Sequence, residues 1–508
     1  MNAVSERAPA LLVLEDLHWI DEASADILTE VLSDVPGLRL LVLAAQRPGW
    51  TAPWSQWGWT ERISLRPLGE SDATTLAGSV LGGLSLSREL EQHVAERAGG
   101  NPFFVEEMVR ALEETGGLEK RDGAMHLVPG AAERLPSTLT EVLLARLDRL
   151  DARVRTVAQV ASVIGRSFAT GLLARVMDAE PGTLDSPLTT LQQAEIAFPR
   201  QGSGQEYSFK HVSMREVAYN TLVQRRRQQL HLDTARAIAA LYPSDEYVEM
   251  IAYHYSRTDE HAEAARWLER AGDRAADVYA LETAIGHYRE TVHRLERSDV
   301  QPLEVARVQE KLGVALLTAG RYEEALSMLR RAVAEYEKER DLESAGRITA
   351  KMGVLHRYRG TPEDGIVLVQ PMIERLDWSG PSETLASLYL ALTQLLFYTG
   401  RYREMLEAAE RAADLARAIG NDRLRGEAEE RRGTAFTMVG RSHEARKVIE
   451  NALPLIEAGG DLLSLWRALN NAGEACKITG DIEKARVYLE RGVALTERVG
   501  NPGLSAFI

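Results

Sequence analysis

Two adjacent carboxylates, Glu15 and Asp16, end the apolar run LLVL at residues 11–14 and lead into His18, Trp19 and Asp21. An acidic pair fixed at a strand end can hold a hydrated divalent cation and polarise a water. An ordinary solvated strand end has the same composition, and both readings stand at this point. No Ser-His-Asp or Cys-His arrangement can be argued elsewhere, because nothing marks a nucleophile elbow or an activated thiol. His254 with His261, and His287 with His293, lack a third donor at ligand spacing and are read as solvated or packing residues.

Composition narrows the class of protein. With 508 residues the chain has room for about three domains, or fewer if part of it is a repeat. Apolar residues make up 45% and charged residues 27%, which fits neither a disordered nor a membrane protein. The longest apolar runs, LLVL and LLVLAA, fall far short of the ~20 residues of a spanning helix. A net charge of −15 repels polyanions, so nucleic acid is not an expected partner. A lone cysteine, Cys476, and an N-terminus interrupted by Glu15, Asp16 and His18 predict a cytoplasmic protein without a signal peptide.

Periodicity supplies the elements that position the acidic pair. Residues 10–15 and 38–45 are continuous apolar runs, the mark of parallel strands buried on both faces, and Ile27, Leu28, Val31 and Leu32 between them have helical spacing. This predicts a βαβ unit, with a further strand near 62–66 (RISLR). From about 70 to 240 the pattern is helical, interrupted at 196–211 by two short apolar-aromatic stretches about Gly202-Ser203-Gly204, which predict a hairpin. Helices followed by a hairpin resemble a winged helix. Four of the eight tryptophans lie within residues 50–59; without interleaved cations they read as a loop packed on the sheet or on a preceding part rather than as a base-stacking platform. Arg225, Arg226 and Arg227 read as a solvated face or a salt-bridge set.

The second half repeats. Gly320, Gly360, Gly400, Gly440 and Gly480 each open a similar segment, a period of 40 residues held through five copies. Seven residues earlier stand Gly313, Gly353, Gly433 and Gly473, with Thr393 as the exception; Ala325, Gly365, Ala445 and Ala485 recur downstream, with Met405 as the exception. Small residues at this spacing let antiparallel helices approach closely, and the pattern resembles a long-helix version of the tetratricopeptide repeat, whose usual unit is about 34 residues. The array is expected to start near 245. A further helix is expected to begin in the final residues, NPGLSAFI.

LLVLEDLHWIDEAS, then LLVLAAQRP, GGNPFFVEEMVRAL, LPSTLTEVLLARLDRLD and YSFKHVSMREVAYNTL resemble, in order, the STAND class of AAA-related ATPases, of the kind attached to bacterial adenylate/guanylate cyclases and transcriptional regulators. The resemblance implies a multidomain, mainly α chain: a partial P-loop α/β core at 1–70, a helical lid at 71–132, a winged-helix-like domain at 133–240 and a tetratricopeptide-like array at 245–508. It implies ATP/ADP and Mg²⁺ as cofactors, with Glu15 on the metal side through water and Asp16 on the attacking water. It gives Arg47 a sensor role at the γ-phosphate, Pro102 a contact with adenine and His211 a contact with the β-phosphate.

One required element is missing: no Gly-Lys dipeptide of a phosphate-binding loop occurs in the sequence. The chain is therefore expected to lack the front of its ATPase domain and not to hydrolyse ATP efficiently alone. Two functions remain: a nucleotide-dependent signalling switch, closed or open and oligomeric, whose array senses a protein or small-molecule ligand; or a non-enzymatic interaction scaffold with a vestigial ATPase domain.

Overall fold

A computed structural model describes residues 8–131, 138–180, 182–200 and 205–499. The chain divides into two compact units, Met1–Leu241 and Tyr242–Ile508.

The first unit opens with β1 (Ala10–Leu14), α1 (Glu22–Ser33) and β2 (Leu40–Ala44). Asp21 caps α1 by accepting the Ser24 N–H at 2.9 Å. The strands pair in parallel with Leu14 opposite Ala44, so both chains leave the sheet at the same edge. One face carries Leu14, Leu40 and Val42 onto a small core of Leu17, Leu32, Val35, Ala52 and Trp54, which absorbs part of the tryptophan-rich loop. The expectation of burial on both faces is not met: Leu11, Val13, Leu41 and Leu43 are half or more exposed. A continuous apolar run specifies two faces to cover, but among the described residues a layer packs on one. RISLR is not a strand either. Residues 61–69 have no regular structure and Leu65 is 93% exposed, because a strand exists through pairing and neither edge of this two-stranded sheet takes that segment as a partner.

Next come α2 (Glu70–Val80), β3 (Ser85–Leu86), α3 (Arg88–Ala98), α4 (Pro102–Glu114), β4 (Leu118–Arg121) and β5 (Ala124–Leu127). Their core is Leu90, Val94, Val105, Met108 and Leu112. The small sheet β3-β5-β4 breaks the uniformly helical pattern read from the sequence. Its hairpin turns at Asp122 and Gly123, both at positive φ (50° and 85°), the backbone that a two-residue Asp-Gly turn requires.

The unit continues through α5 (Leu139–Asp148), α6 (Ala152–Ile164), β6 (Ser167–Ala169), α7 (Thr170–Val176), α8 (Asp185–Gln193), β7 (Ala197–Pro199), β8 (Glu206–Phe209), α9 (Val212–Asn220) and α10 (Gln224–Leu241). The sheet is antiparallel, ordered β6-β8-β7, and its β7–β8 pair is the expected hairpin. The Gly-Ser-Gly turn, and Leu135 and Pro136 of the LPSTL stretch, lie outside the described residues. Glu107 of α4, 3% exposed, accepts two hydrogen bonds from Arg146 of α5, which also donates to the Ala194 carbonyl. That pair locks α4, α5 and the turn before β7 together. Arg225 and Arg226 are exposed, whereas Arg227 lies 4.3 Å over the Tyr219 ring.

The second unit is a solenoid of helix pairs. Helices α11 (Val248–Ser256), α12 (His261–Asp277) and α13 (Leu281–Leu295) precede α14 (Pro302–Thr318), α15 (Tyr322–Lys338), α16 (Leu342–Tyr358), α17 (Pro362–Asp377), α18 (Glu383–Tyr398) and α19 (Tyr402–Ala418). The array runs on through α20 (Asp422–Met438), α21 (Ser442–Gly459), α22 (Leu462–Ile478) and α23 (Ile482–Val499). Gly320, Gly360, Gly400, Gly440 and Gly480 close the helix turns at φ of 73–84°, where a Cβ would be strained. The other glycine series is steric. A Cβ on Gly313, Gly353, Gly433 or Gly473 would fall 2.3–2.7 Å from Leu329, Val369, Ile449 or Leu489, the facing side chain of the same pair. The exception explains itself by volume. The equivalent pair is Thr393 and Ala409, both fully buried, so the bulk has moved from one helix to the other. The segment NPGLSAFI lies outside the described residues. Among the described residues no helix is long and apolar enough to cross a membrane.

Candidate functional site

Parallel strands bring whatever follows them to a common edge, the usual place for a ligand in an α/β fold. Here Glu15 and Asp16 follow β1, and Ala45, Gln46 and Arg47 follow β2. The two exits are stitched together: the Ala45 N–H donates to the Leu14 carbonyl at 2.7 Å and the Leu17 N–H to the Ala45 carbonyl at 3.1 Å. Asp16 pays for its position in backbone conformation, with φ 57° and ψ 34° in the left-handed region, where Asp is one of the few tolerated side chains.

These residues form one wall of a crevice of ≈ 330 Å³. The other wall comes from the third layer of the same unit: Arg166, in the turn between α6 and β6, and Lys210, His211 and Val212 at the start of α9. Glu15, Asp16, Arg47 and His211 are therefore brought together. Pro102 is not a lining residue; it is exposed in the first turn of α4, behind the cap made by Asn101, whose side chain accepts the Phe103 and Phe104 N–H groups. It is tied to the crevice through its neighbour: the Phe103 ring lies against His211 with centroids 3.8 Å apart.

The electrostatics are divided. The carboxylates of Glu15 and Asp16 stay more than half exposed, and Arg166 reaches them at 3.8 and 3.7 Å. Lys210 is held at 2.7 Å by Glu195, which Arg110 also engages; those two cations, Arg110 foremost, pull the Glu195 carboxyl down to about 2. Arg47 makes no ion pair among the described residues. His211 is incompletely satisfied: its Nε2 is buried without a hydrogen-bond partner. Burial first, then Lys210 and Arg146, lower its pKa against the pull of Glu107 and Glu106, so the ring is neutral at neutral pH. Both ring nitrogens of His18, on the opposite wall, are likewise shielded and unpartnered. An acidic lip, three cations and two histidines with open nitrogens suit a polyanion carried with a divalent cation. Among the described residues no three His, Cys, Asp or Glu side chains cluster as a self-sufficient metal site; two carboxylates fit Mg²⁺, whose remaining ligands are commonly water and phosphate.

Sequence reasoning did not single out His18, Gln46, Arg166 or Lys210. His18 and Gln46 stand beside residues it did choose. Arg166 carries no local signal and enters through tertiary structure.

Comparison with known proteins places two segments. Residues 69–125 match a domain of unknown function (DUF8739), and residues 467–498 match the tetratricopeptide repeat. With the 40-residue helix pairs around that match, the second unit is a tetratricopeptide-repeat array. An uncharacterized protein of Rhizobium meliloti (strain 1021) is 28% identical over 276 residues, covering 53% of this chain and 26% of its own length. The chain thus spans about a quarter of that relative. Among solved structures, a Signal Transduction ATPase with Numerous Domains (STAND) protein with a tetratricopeptide repeat sensor, from Pyrococcus horikoshii, is 14% identical with a TM-score of 0.48, covering 98% of this chain and 70% of that one. Aspartyl phosphate phosphatase F from Bacillus subtilis is 13% identical with a TM-score of 0.40, covering 72% and 96%. Likeness at these values establishes neither a family nor a function.

Proposed function

We propose that the first unit is the nucleotide-binding part of a regulatory switch and that the repeat array is its sensor for a protein or small-molecule ligand. The observation that carries this reading is the meeting of Glu15, Asp16, Arg47 and His211 in one crevice, although His211 lies nearly 200 residues from the acids in sequence. In this reading Arg47, Arg166 and His211 would hold the phosphates of ATP or ADP, and Phe103 and Pro102 would contact the base. Glu15 would hold a hydrated Mg²⁺ and Asp16 would orient a water. Bound Mg²⁺ supplies neutralisation of the phosphate charge. The layer built from β6, β7 and β8 acts as a winged helix that closes on the nucleotide, and ligand on the array shifts the population toward an open, oligomeric form. The whole protein's output, a nucleotide cyclase or a transcriptional regulator in the class it resembles, is part of the same proposal.

The chain as given has no Gly-Lys phosphate-binding loop, which leaves Arg47, Arg166 and His211 as its phosphate contacts. Forgoing two charge-assisted contacts at about 2 kcal/mol each weakens affinity roughly a thousandfold. Isothermal titration with ADP·Mg²⁺ and ATP·Mg²⁺ should therefore show weak binding, near the millimolar range, with no turnover of ATP. Arg47→Ala and His211→Ala should each weaken it further. Binding in the micromolar range would overturn the claim of a missing grip. Binding indifferent to both substitutions would overturn the crevice as the site. The scaffold reading draws on the exposure of the acidic pair, and an absence of nucleotide binding would leave it standing.

A further inference from the structure

One face of the array, made by the first helix of each pair, carries a ladder of ion pairs, and two of its steps share one register. Glu269 and Asp273 of α12 engage Arg307 and Lys311 of α14. Glu310 of α14 accepts from Arg347 and Lys351 of α16, 37 and 41 residues onward. Glu430 of α20 accepts from Arg467 and Asn471 of α22, again 37 and 41 residues onward. Both of these glutamates are buried.

The two middle steps of the ladder have no carboxylate. Ala350 and Leu390 occupy the positions of Glu310 and Glu430, and the partners due to Ala350 are Ser387 and Ala391. Leu390 should serve residue 431, which is still an arginine. Arg431 therefore lacks the acid that the register gives to Lys351. Its side chain is 11% exposed, and its nearest anion is its neighbour Glu430 at 3.6 Å, already engaged by Arg467, Asn471 and Thr434. Burial, then Arg467 and Arg357, push its pKa down, while Glu430 and Glu427 oppose them; Glu427 is itself paired with Arg423 at 2.8 Å. Arg357 stands over the Tyr358 ring at 4.1 Å and near that of Tyr398 at 5.8 Å, its Nε buried and unpartnered. Along the same helices Tyr358, Tyr398 and Met438 recur at 40-residue intervals, 52%, 59% and 41% exposed.

We infer that this gap in the ladder is a docking site for an extended acidic peptide, whose carboxylate supplies Arg431 and Arg357 with the missing anion while its apolar side chains lie on Tyr358, Tyr398 and Met438. Charge complementarity selects the occupant: the cations are few, largely buried and set beside aromatic rings, which suits a carboxylate beside apolar groups and not a run of phosphates. The inference names the chemistry of the partner left open above. It rests on the array being a receptor and is independent of the nucleotide crevice.

The test is fluorescence anisotropy of the full chain with a fluorescein-labelled peptide of Glu, Leu and Ser, its Lys counterpart as control. The acidic peptide should bind and the basic one should not. Arg431→Gln should weaken binding about tenfold or more, the worth of a charge-assisted contact. The pair Leu390→Glu with Glu427→Arg gives the central step one acid and two cations in the register of Glu310, Arg347 and Lys351; it should abolish binding while the melting temperature holds. Equal binding of both peptides, displacement by a single-stranded oligonucleotide, or indifference to both variants would overturn the site. Failure of both peptides to bind would overturn the array as a peptide receptor, with nucleotide titration of the crevice as a separate readout.

Discussion

The parallel sheet of the first unit and the helix array of the second are both written in long apolar stretches, yet they bury them differently. Leu11, Val13, Leu41 and Leu43 leave one face of the sheet open, whereas Leu312, Leu329, Val369, Leu395 and Ile449 of the array are almost wholly enclosed. Each helix pair finds its missing surface in the next copy of itself. A βαβ unit has no such copy and depends on layers supplied by other parts of a fold. The comparison teaches that repetition makes local sequence sufficient, and that a sheet is legible only with its covering.

Five experiments break or sharpen this contrast, the largest effect first. Phe168, 2% exposed and packed near Tyr207 and Phe209, anchors the first unit; Phe168→Ala should cost about 3–5 kcal/mol in chemical denaturation. A small loss would mean that this unit is as loosely held as its sheet. In the array, Gly433→Ala puts a Cβ 2.3 Å from Ile449 and should cost about 2 kcal/mol through overpacking. The double change Gly433→Thr with Ile449→Ala, which copies Thr393 and Ala409, should recover much of the stability lost by Gly433→Thr alone. Without that recovery the volume exchange between helices is not what the exception records.

Titration gives a smaller effect. Burial comes first in lowering the pKa of His211 in the first unit and of His356 in the array below the ordinary 6.5. The unfolded chain then binds the proton first, so stability is complete above 6.5 and falls as the pH drops below it. His211→Gln should flatten that decline in the transition of the first unit, less what His93 contributes in the same sense, and His356→Gln in that of the array. Urea midpoints on either side of pH 6.5 check both. Least of all, Leu41→Thr and Leu43→Thr should each change stability by no more than about 0.5 kcal/mol, as for solvated positions. A loss several times larger would show that this face is covered after all.

The sequence made the array readable because translation by 40 residues repeats the turn glycine five times and the packing glycine four times. The crevice was half readable. Glu15, Asp16 and Arg47 follow apolar runs whose ends parallel pairing must bring together, and His211 was suggested by resemblance. Arg166 and Lys210 come from a distant layer whose position no local pattern encodes. RISLR misled because alternation promises a strand and pairing decides it. The Asp122-Gly123 hairpin was written plainly in its turn residues and was lost within a stretch that looked helical.

The strict spacing of the corner glycines makes the solenoid a chain of interchangeable links. Excising residues 361–400 would splice Gly360 directly to Arg401, where Gly400 stood, and keep the rhythm of helices intact. The new joint would set Gly353 against Ala409 in place of Val369, a looser seam and not a broken one. A protein built in this way can change its reach by whole links through recombination, while a cut at any other length would turn each later helix away from its neighbour.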